Sequence, residues 1–346
     1  MNILAIESSC DETAVAVVRD GRTVLADCIA SQVDLHTIYG GVVPELASRK
    51  HIEAISALAD QALLRADLSK SDLDAVAVTY APGLIGALLV GVSFAKSVAY
   101  ALHLPLIPVH HVRGHIAANY IAHPDLEPPF VCLCVSGGTS LIVDVRGYTD
   151  MNILGATHDD AAGECFDKIA RVLGLGYPGG APLDRLSKTG DPNRYPLPRT
   201  QIQDAPLDMS FSGLKTATLN LIHNLKQKEE PLNLPDLAAS FSTAVSEMLV
   251  PRSMMAATQL GYQNVAVVGG VAANSRIRHD LETACLQANR KLFLPPLSLC
   301  GDNGAMIGSQ AFYEFQAGAR GGTDLNAYAN RDISWNPYLS GSTSCM

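Results

Sequence analysis

Apolar residues open the chain in two short runs. Ile3 to Ile6 form one and Ala14 to Val18 the other, with small polar residues from Ser8 to Thr13 between them. Short apolar runs bounded by turn residues predict strands, so "NILAIESSCDETAVAVV" reads as strand, turn, strand. The same pattern returns in "FVCLCVSGGTSLIVDVRGYT", from Phe130 to Thr149, with "SGGTS" as the turn. A hairpin written twice, about one domain length apart, predicts a duplicated architecture.

Between and after these hairpins the period switches. "PELASRKHIEAISALADQALLRA" places apolar residues at helical spacing, and "DAVAVTY" is a short buried strand. "GLIGALLVGVSFAKSVAYAL" predicts a buried, Gly-rich helix, followed by "PLIPVH" as a strand. The second half repeats this grammar. "DDAAGECFDKIARVLG" and "DLAASFSTAVSEMLVPRSMMAATQL" predict helices, "NVAVVGG" a strand and "SRIRHDLETACLQANR" a helix. "NRKLFLPP" gives a late strand and "NGAMIGSQAFYEFQAG" a closing helix. Gly176 to Phe211 is rich in Pro, Gly and Arg and reads as long loops, and the tail after Gly318 reads as loose. Alternating strands and helices in both halves predict an α/β fold with partly parallel sheets.

Composition narrows the class. A chain of 346 residues suggests two domains or one bilobal unit. No basic, apolar and small-residue sequence of a signal peptide opens it. The most apolar stretch, Gly83 to Leu102, is interrupted by glycines and Lys96, so no membrane span is expected. Eight cysteines without a Cys-x-x-Cys pair point to reduced thiols and a cytoplasmic protein; Cys132 and Cys134 share one face of a strand. The net charge of −9 opposes a generally basic, nucleic-acid-coating surface. It leaves room for local basic clusters at Arg49-Lys50, Lys168 with Arg171, and Arg276 with Arg278.

Several motifs carry candidate chemistry. In "VHHVRGH", His111 and His115 stand four apart and so share a helix face. Zinc proteases have His-Glu-x-x-His, the Glu activating water; here Val112 follows His111 and that base is missing. Asp302 in "LCGDNGAMIG" is either the N-cap of the helix after it or a third ligand. Two histidines and a carboxylate would leave open positions on Fe(II) or Zn(II). Gly137 and Gly138 of "SGGTS" expose N–H donors, either as a phosphate cradle or as an ordinary hairpin loop. "GGVAANSRIR" is a tight strand-to-helix turn whose glycines also permit close approach of a ligand, without the Rossmann spacing. In "THDDAAGECFDKIARVLG", Asp159 reads as a helix cap. Asp167 there is a candidate for ribose hydroxyls or simply part of a solvated face. Lys215 of "MSFSGLKT" either meets an anion or faces solvent.

Taken together, "ESSCDETAVAV", "SQVDLHTIYGGVVPELASRKH", "APGLIGALLVG", "VHHVRGH", "VSGGTS", "DDAAGECFDKIARVLGLGYPGG", "MSFSGLKT", "GGVAANSRIR" and "CGDNGAMI" closely resemble the tRNA adenosine threonylcarbamoyltransferase family, bacterial type, once called O-sialoglycoprotein endopeptidases. The resemblance covers nearly the whole chain. It implies an actin-like fold of the sugar-kinase and Hsp70 kind: two duplicated α/β lobes, 1–109 plus 305–346 and 110–304, with nucleotide and metal in the central cleft. It implies transfer of a threonylcarbamoyl group from threonylcarbamoyl-AMP to N6 of the adenosine 3′ of the anticodon, in tRNAs reading codons that begin with A. AMP is released. By the same resemblance, His111, His115 and Asp302 hold one Fe(II) or Zn(II). Cys134, Val135, Ser136, Gly137, Gly138, Asp167, Gly180, Asp184 and Asn274 line the donor and adenine nucleotide site. Asp11 and Glu12 stand near the reacting end as catalytic candidates. The implied partners are tRNA, a related actin-like subunit, a small ATPase, and a separate synthase that supplies threonylcarbamoyl-AMP.

Three positions depart from the family pattern. Thr139 stands where many relatives have His, Arg113 where an acidic residue is common between the paired histidines, and Gly301 where Thr often precedes the Asp. None removes an implied ligand. Transfer also accounts for the missing base. The attacking group is an adenine amine and the anhydride donor is already activated, so positioning and charge stabilisation matter most. The rival readings are a metalloendopeptidase, a nucleotide-binding scaffold whose partner does the chemistry, and a kinase of the same fold.

Overall fold

The computed structural model describes residues 1–338. The first apolar runs become strands β1 (Asn2–Glu7) and β2 (Glu12–Arg19), antiparallel, with Ile3 opposite Val18 and Ile6 opposite Val15. A third strand, β3 (Thr23–Ser31), pairs antiparallel with β2. Its exposed and half-buried residues hide the apolar signal, which is why the sequence pattern misses it. The chain continues through helices α1 (Val33–Tyr39) and α2 (Pro44–Arg65), strand β4 (Ala75–Ala81), helix α3 (Ile85–Leu102), strand β5 (Leu106–His110) and helix α4 (His111–Ala122). Strands β4 and β5 join β1 in parallel, giving the order β3-β2-β1-β4-β5.

The second sheet repeats that topology. Strands β6 (Phe130–Val135), β7 (Ser140–Val145) and β8 (Met151–Ala156) follow one another. After them come helices α5 (Ala162–Val172), α6 (Gly180–Ser187), α7 (Ser212–Gln227) and α8 (Leu234–Leu260), strand β9 (Asn264–Val268), helix α9 (Ser275–Gln287) and strand β10 (Lys291–Phe293). The order is β10-β9-β6-β7-β8, with β6 antiparallel to β7 and parallel to β9. The sequence duplication is therefore a duplication of topology. The region read as loops, 176–211, contains the short helix α6, whose glycines and Pro182 at its start concealed it. Helix α10 (Gly304–Gln316) closes the chain's regular structure and packs on α4, β1 and β2.

Contacts divide the chain into two units. Of the described residues, one holds 1–128, 146–152 and 295–338; the other holds 129–145 and 153–294. Helix α4 falls in the first unit, where the sequence reading had set a lobe boundary at 109/110, because its residues pack on α10 and β5. The core of the first unit lies between its sheet and α2 and α3, with Ile55, Leu58, Ala62, Val76, Val78, Leu88 and Val92 buried together. The apolar stripe of α2 is thus a core stripe; Ile52 and Leu64 alone among its large aliphatic residues stay well exposed. Helix α3 is long and apolar enough to cross a membrane by length and composition. Ala87, Leu88, Gly91, Val92, Ala95 and Ala99 nevertheless form a buried face, the 3.6-residue pattern of a helix packed on a sheet.

The segment after Gly318 is anchored up to Tyr338, contrary to its loose reading. Tyr80 OH donates to the Trp335 carbonyl, and Arg113 Nε donates to the Ile333 carbonyl at 2.8 Å. Arg113 Nη1 also donates to Glu314 at 2.7 Å, and Glu314 accepts further from Gln310 and Asn336. Arg113 is 2% exposed and Glu314 fully buried, so this pair ties α4, α10 and the terminal segment in a dry interior. Buried pairs of this kind hold geometry more than they add stability, since desolvation offsets their attraction. Close packing of the two helices also rests on Gly114, where a Cβ would lie 2.6 Å from Ile307 Cδ1.

Removing one member of the buried pair is expected to be far worse than removing both. Arg113→Ala should cost about 3–5 kcal/mol of stability, while an Arg113→Met, Glu314→Leu double variant should cost markedly less. Urea denaturation of the three proteins checks this; a single variant within about 1 kcal/mol of the parent would contradict the ion-pair account.

Candidate metal centre and substrate elements

Strand β5 runs without a break into α4, so the helix begins at the first histidine of the pair. His111 and His115 then lie one turn apart with ring centroids 4.6 Å from each other. The third group arrives at the start of α10. A helix start needs acceptors for its unpaired N–H groups. The sequence reading offered Asp302 as that cap, but the structure uses others. Asn303 Oδ1 accepts the Met306 N–H at 2.8 Å, and Asp27 Oδ1 accepts the Gly304 N–H at 3.1 Å. Asp302 is left facing the histidines. Its Oδ1 lies 3.1 Å from His115 Nε2 and 3.6 Å from His111 Nε2. The three donor atoms all fall within 4.8 Å of one another.

His111 is oriented from behind. Its Nδ1 lies 3.0 Å from Glu7 Oε2 and 3.1 Å from Ser9 Oγ. Glu7 is fully buried at the end of β1, and it also accepts hydrogen bonds from Thr79 Oγ1 and the Ser9 N–H. This is a carboxylate–histidine arrangement that fixes the ring and leaves Nε2 for a metal. Glu7, Ser9 and Thr79 were missed in the sequence. The one available signal was a charged residue at the end of an otherwise apolar strand.

Charge is concentrated here. Burial raises the Glu7 carboxyl, but His111 outweighs it and holds the pKa below its usual value. Burial disfavours a charged His111, yet the Glu7 and Asp302 carboxylates lift it to about 9. Asp302, also opposed by burial, is drawn down to about 2 by His111 and His115. Glu12 is pushed up to about 9 by burial and by the neighbouring carboxylates of Asp11 and Asp302. Asp11 is buried, and Glu12 accepts a hydrogen bond from Ser31 Oγ at 3.1 Å. Crowded carboxylates of this kind invite a cation. The donor set fits one. Both ring nitrogens of His115 are buried without a hydrogen-bond partner among the described residues, although Asp302 approaches Nε2. A nitrogen and an oxygen that close, without an aligned N–H between them, suit two ligands turned toward a shared ion. Two imidazoles and a carboxylate are the donors Fe(II) or Zn(II) takes.

The other candidates lie in the second unit. Cys134 and Val135 end β6, and Ser136 to Gly138 form the turn to β7. The Ser136 and Gly137 carbonyls accept the N–H groups of Gly163 and Glu164, fastening the turn to the start of α5. Gly137 and Gly138 remain exposed, with open space around both. The turn after β9 packs against the same strand end. Gly269 has φ +93°, and a Cβ there would lie 2.3 Å from the Val135 carbonyl oxygen. Only glycine meets both demands. Asn274 caps α9, accepting the N–H groups of Arg276 and Ile277. Asp184 accepts both the N–H and the Oγ–H of Ser275 at 2.8 Å. Asp167 Oδ1 accepts the Gly179 N–H at 2.7 Å, next to Gly180 at the start of α6. The structure thus draws the two Gly-Gly turns together, and Asp184 to the residue after Asn274.

Two local readings change. Asp159 does not cap α5. It accepts from the Oγ groups of Ser210 and Ser212 and from the N–H groups of Phe211 and Ser212, closing the start of α7. Of the two readings of Lys215, it meets an anion, and that anion is the chain's own Asp160 carboxylate.

The profile of the family described as tRNA N6-adenosine threonylcarbamoyltransferase matches residues 23–309. A Clostridium botulinum (strain 657 / Type Ba4) protein named tRNA N6-adenosine threonylcarbamoyltransferase is 51% identical over 330 residues, 95% of this chain and 97% of that protein. A Moorella thermoacetica protein of the same name is 54% identical over 314 residues, 91% of this chain and 92% of that one. Among solved structures, full-length HypF in the phosphate- and nucleotide-bound form gives a TM-score of 0.59 at 14% identity, covering 91% of this chain and 46% of HypF. The activator of 2-hydroxyisocaproyl-CoA dehydratase from Clostridium difficile, with bound ADPNP, gives 0.53 at 14% identity, covering 91% of this chain and 95% of that one. These structural likenesses bear on fold alone, and they accord with the duplicated actin-like architecture expected from the sequence.

Metal content separates ligands from supports. His111→Ala should lose most of the bound metal while keeping its circular dichroism, because the site joins elements that are packed without it. Glu7→Gln should retain the fold and lower metal affinity by roughly 10–100-fold, the usual effect of losing a carboxylate behind a ligating His. Chelator competition measures both; parental affinity in either variant would remove that residue from the assignment.

Proposed function

The chain belongs to the tRNA N6-adenosine threonylcarbamoyltransferase family, and we propose from this that it moves the threonylcarbamoyl group of threonylcarbamoyl-AMP to N6 of the adenosine 3′ of the anticodon. The tRNAs concerned read codons that begin with A. The adenine N6 forms a bond to the carbamoyl carbon, the bond from that carbon to the AMP phosphate oxygen breaks, and N6 gives up a proton. The observation that carries the residue-level reading is Asp302, released from capping by Asn303 and set between His111 and His115.

His111, His115 and Asp302 would hold one Fe(II) or Zn(II). A metal held there would supply positive charge for the donor's carbonyl and phosphate oxygens. Glu7 fixes the His111 ring. Asp11 and Glu12 stand beside this cluster, and we assign them to the reacting end as hydrogen-bond acceptors. Cys134 to Gly138 would take the phosphate and acyl region through exposed turn N–H groups. Asp167, Gly180, Asp184 and Asn274 would hold the adenosine half of the donor. Asp184 and Asn274 already brace the α9 turn, so their role is to fix its shape as much as to touch the nucleotide.

Peptide hydrolysis fits less well. The Glu that follows the first histidine in zinc proteases is Val112 here, and the carboxylate behind His111 is Glu7. Both Glu7 oxygens are engaged, with Ser9 on one and with Thr79 and His111 on the other.

We further propose that the chain works with companions: a related actin-like subunit, a small ATPase and a synthase that delivers threonylcarbamoyl-AMP. The net charge of −9 supports this, because a polyanion is repelled at long range and must be held by few local contacts.

The test is multiple-turnover modification of tRNA by the purified chain with threonylcarbamoyl-AMP, with and without those companions, against casein and ATP controls. Transfer to tRNA that the companions accelerate strongly, with casein left intact, is expected. Casein cleavage without transfer would overturn the reaction, and equal turnover by the lone chain would overturn the partner requirement.

A further inference from the structure

A concave site of about 370 Å³ lies in the second unit, outside the residues assigned to the donor. Its walls include Ser187 and Lys188 at the end of α6, Ala239 from α8, and Ser275, Arg276 and His279 at the start of α9. Among the described residues no carboxylate lines it, in a chain with 34 acidic against 25 basic residues.

The cations are held differently. Arg276 Nε donates to Asp280 Oδ2 at 2.7 Å, and Asp280 is itself braced by Ser246 Oγ at 2.6 Å. The guanidinium is therefore fixed by one edge. Its Nη groups have no hydrogen-bond partner among the described residues. A planar fork presented in this way suits two parallel bonds to phosphate oxygens. Lys188 Nζ stands 3.8 Å from Asp184, outside hydrogen-bonding range, and its side chain is 57% exposed. It is an exposed point charge, loosely paired with Asp184. His279 is exposed and three residues beyond Arg276, so it shares that face of α9.

We propose that this concavity takes a backbone phosphate of the tRNA, with Arg276 as the forked donor and Lys188 as the supporting charge. The inference rests on the functional reading above. Position supports it: Lys188 is one helical turn past Asp184, and Arg276 is two residues past Asn274, so the site adjoins residues assigned to the donor. A polynucleotide whose adenosine must meet that donor has to run nearby. The same phosphate chemistry is offered by free phosphate and by the AMP moiety, so the experiment separates the three.

Binding of labelled tRNA to the full chain is followed across a salt series at low ionic strength, for the parent, Lys188→Glu and Arg276→Lys. Inorganic phosphate is tested as a competitor, and AMP affinity is measured by calorimetry. Both variants should bind tRNA several-fold more weakly. In Lys188→Glu the slope of log affinity against log salt should fall by about 1, as for one lost phosphate contact. AMP affinity should stay at the parental value in both. Unchanged tRNA binding in Lys188→Glu, an exposed position that leaves the fold intact, overturns the subsite. Loss of AMP affinity alone reassigns it to the donor and also overturns it, as does phosphate binding that tRNA does not displace. Failure of the parent to bind tRNA even with the companion proteins present overturns the functional reading itself, a result distinct from binding that the variants retain.

Discussion

The start of α10 sets the terms for the site. Its unpaired N–H groups must be satisfied, and the obvious residue for that work, by position, is Asp302. Asn303 and Asp27 do it instead. An aspartate spent on capping would have its oxygens turned into its own helix. Released from it, Asp302 reaches two histidines on another helix, and α10 is held there by close packing on α4, β1 and β2. The Arg113–Glu314 pair and the terminal segment fix α4 from the opposite side. Arg113, which stands where an acidic residue is common in the family, is buried and paired with Glu314 and the Ile333 carbonyl, a structural role.

Carboxylates around this cluster have distinct duties that distance separates. Glu7 is fully engaged behind His111, Asp302 faces both rings, and Glu12 is crowded by Asp11 and Asp302 into a state that burial makes costly. A cation among them would relieve that cost, and it would also give His115 Nε2 a partner. The exposed glycines of the Ser136–Gly138 turn stand in contrast. There the second unit has a neutral, exposed turn tied down by the start of α5, with no charged side chain of its own.

Much of this was legible in the sequence where one physical rule dominated. The two hairpins follow from alternating apolar runs around small turns, and their repeated sheet order follows from duplication. The His111–His115 pair follows from helical periodicity. Legibility failed where a choice depended on distant residues. Nothing near Asp302 announces that Asp27, far away in the chain, would accept the Gly304 N–H. Glu7 reads as a strand end until Thr79 and His111 are brought beside it. Asp159 reads as the cap of the helix it precedes, yet it closes α7, about fifty residues later. The terminal segment reads as loose because it has no regular structure, yet Leu325, Ile333 and Trp335 pack inward and the Ile333 and Trp335 carbonyls accept from Arg113 and Tyr80.

The central claim is that Asp302 is a metal ligand and not a cap. X-ray absorption at the metal edge, on the purified protein loaded with Zn(II) or Fe(II), reads the ligand shell directly. The account predicts two imidazole nitrogens and at least one carboxylate oxygen, for zinc at about 2.0–2.2 Å, with the carboxylate contribution lost in Asp302→Asn. A shell without imidazole, or one that Asp302→Asn leaves unchanged, would contradict it.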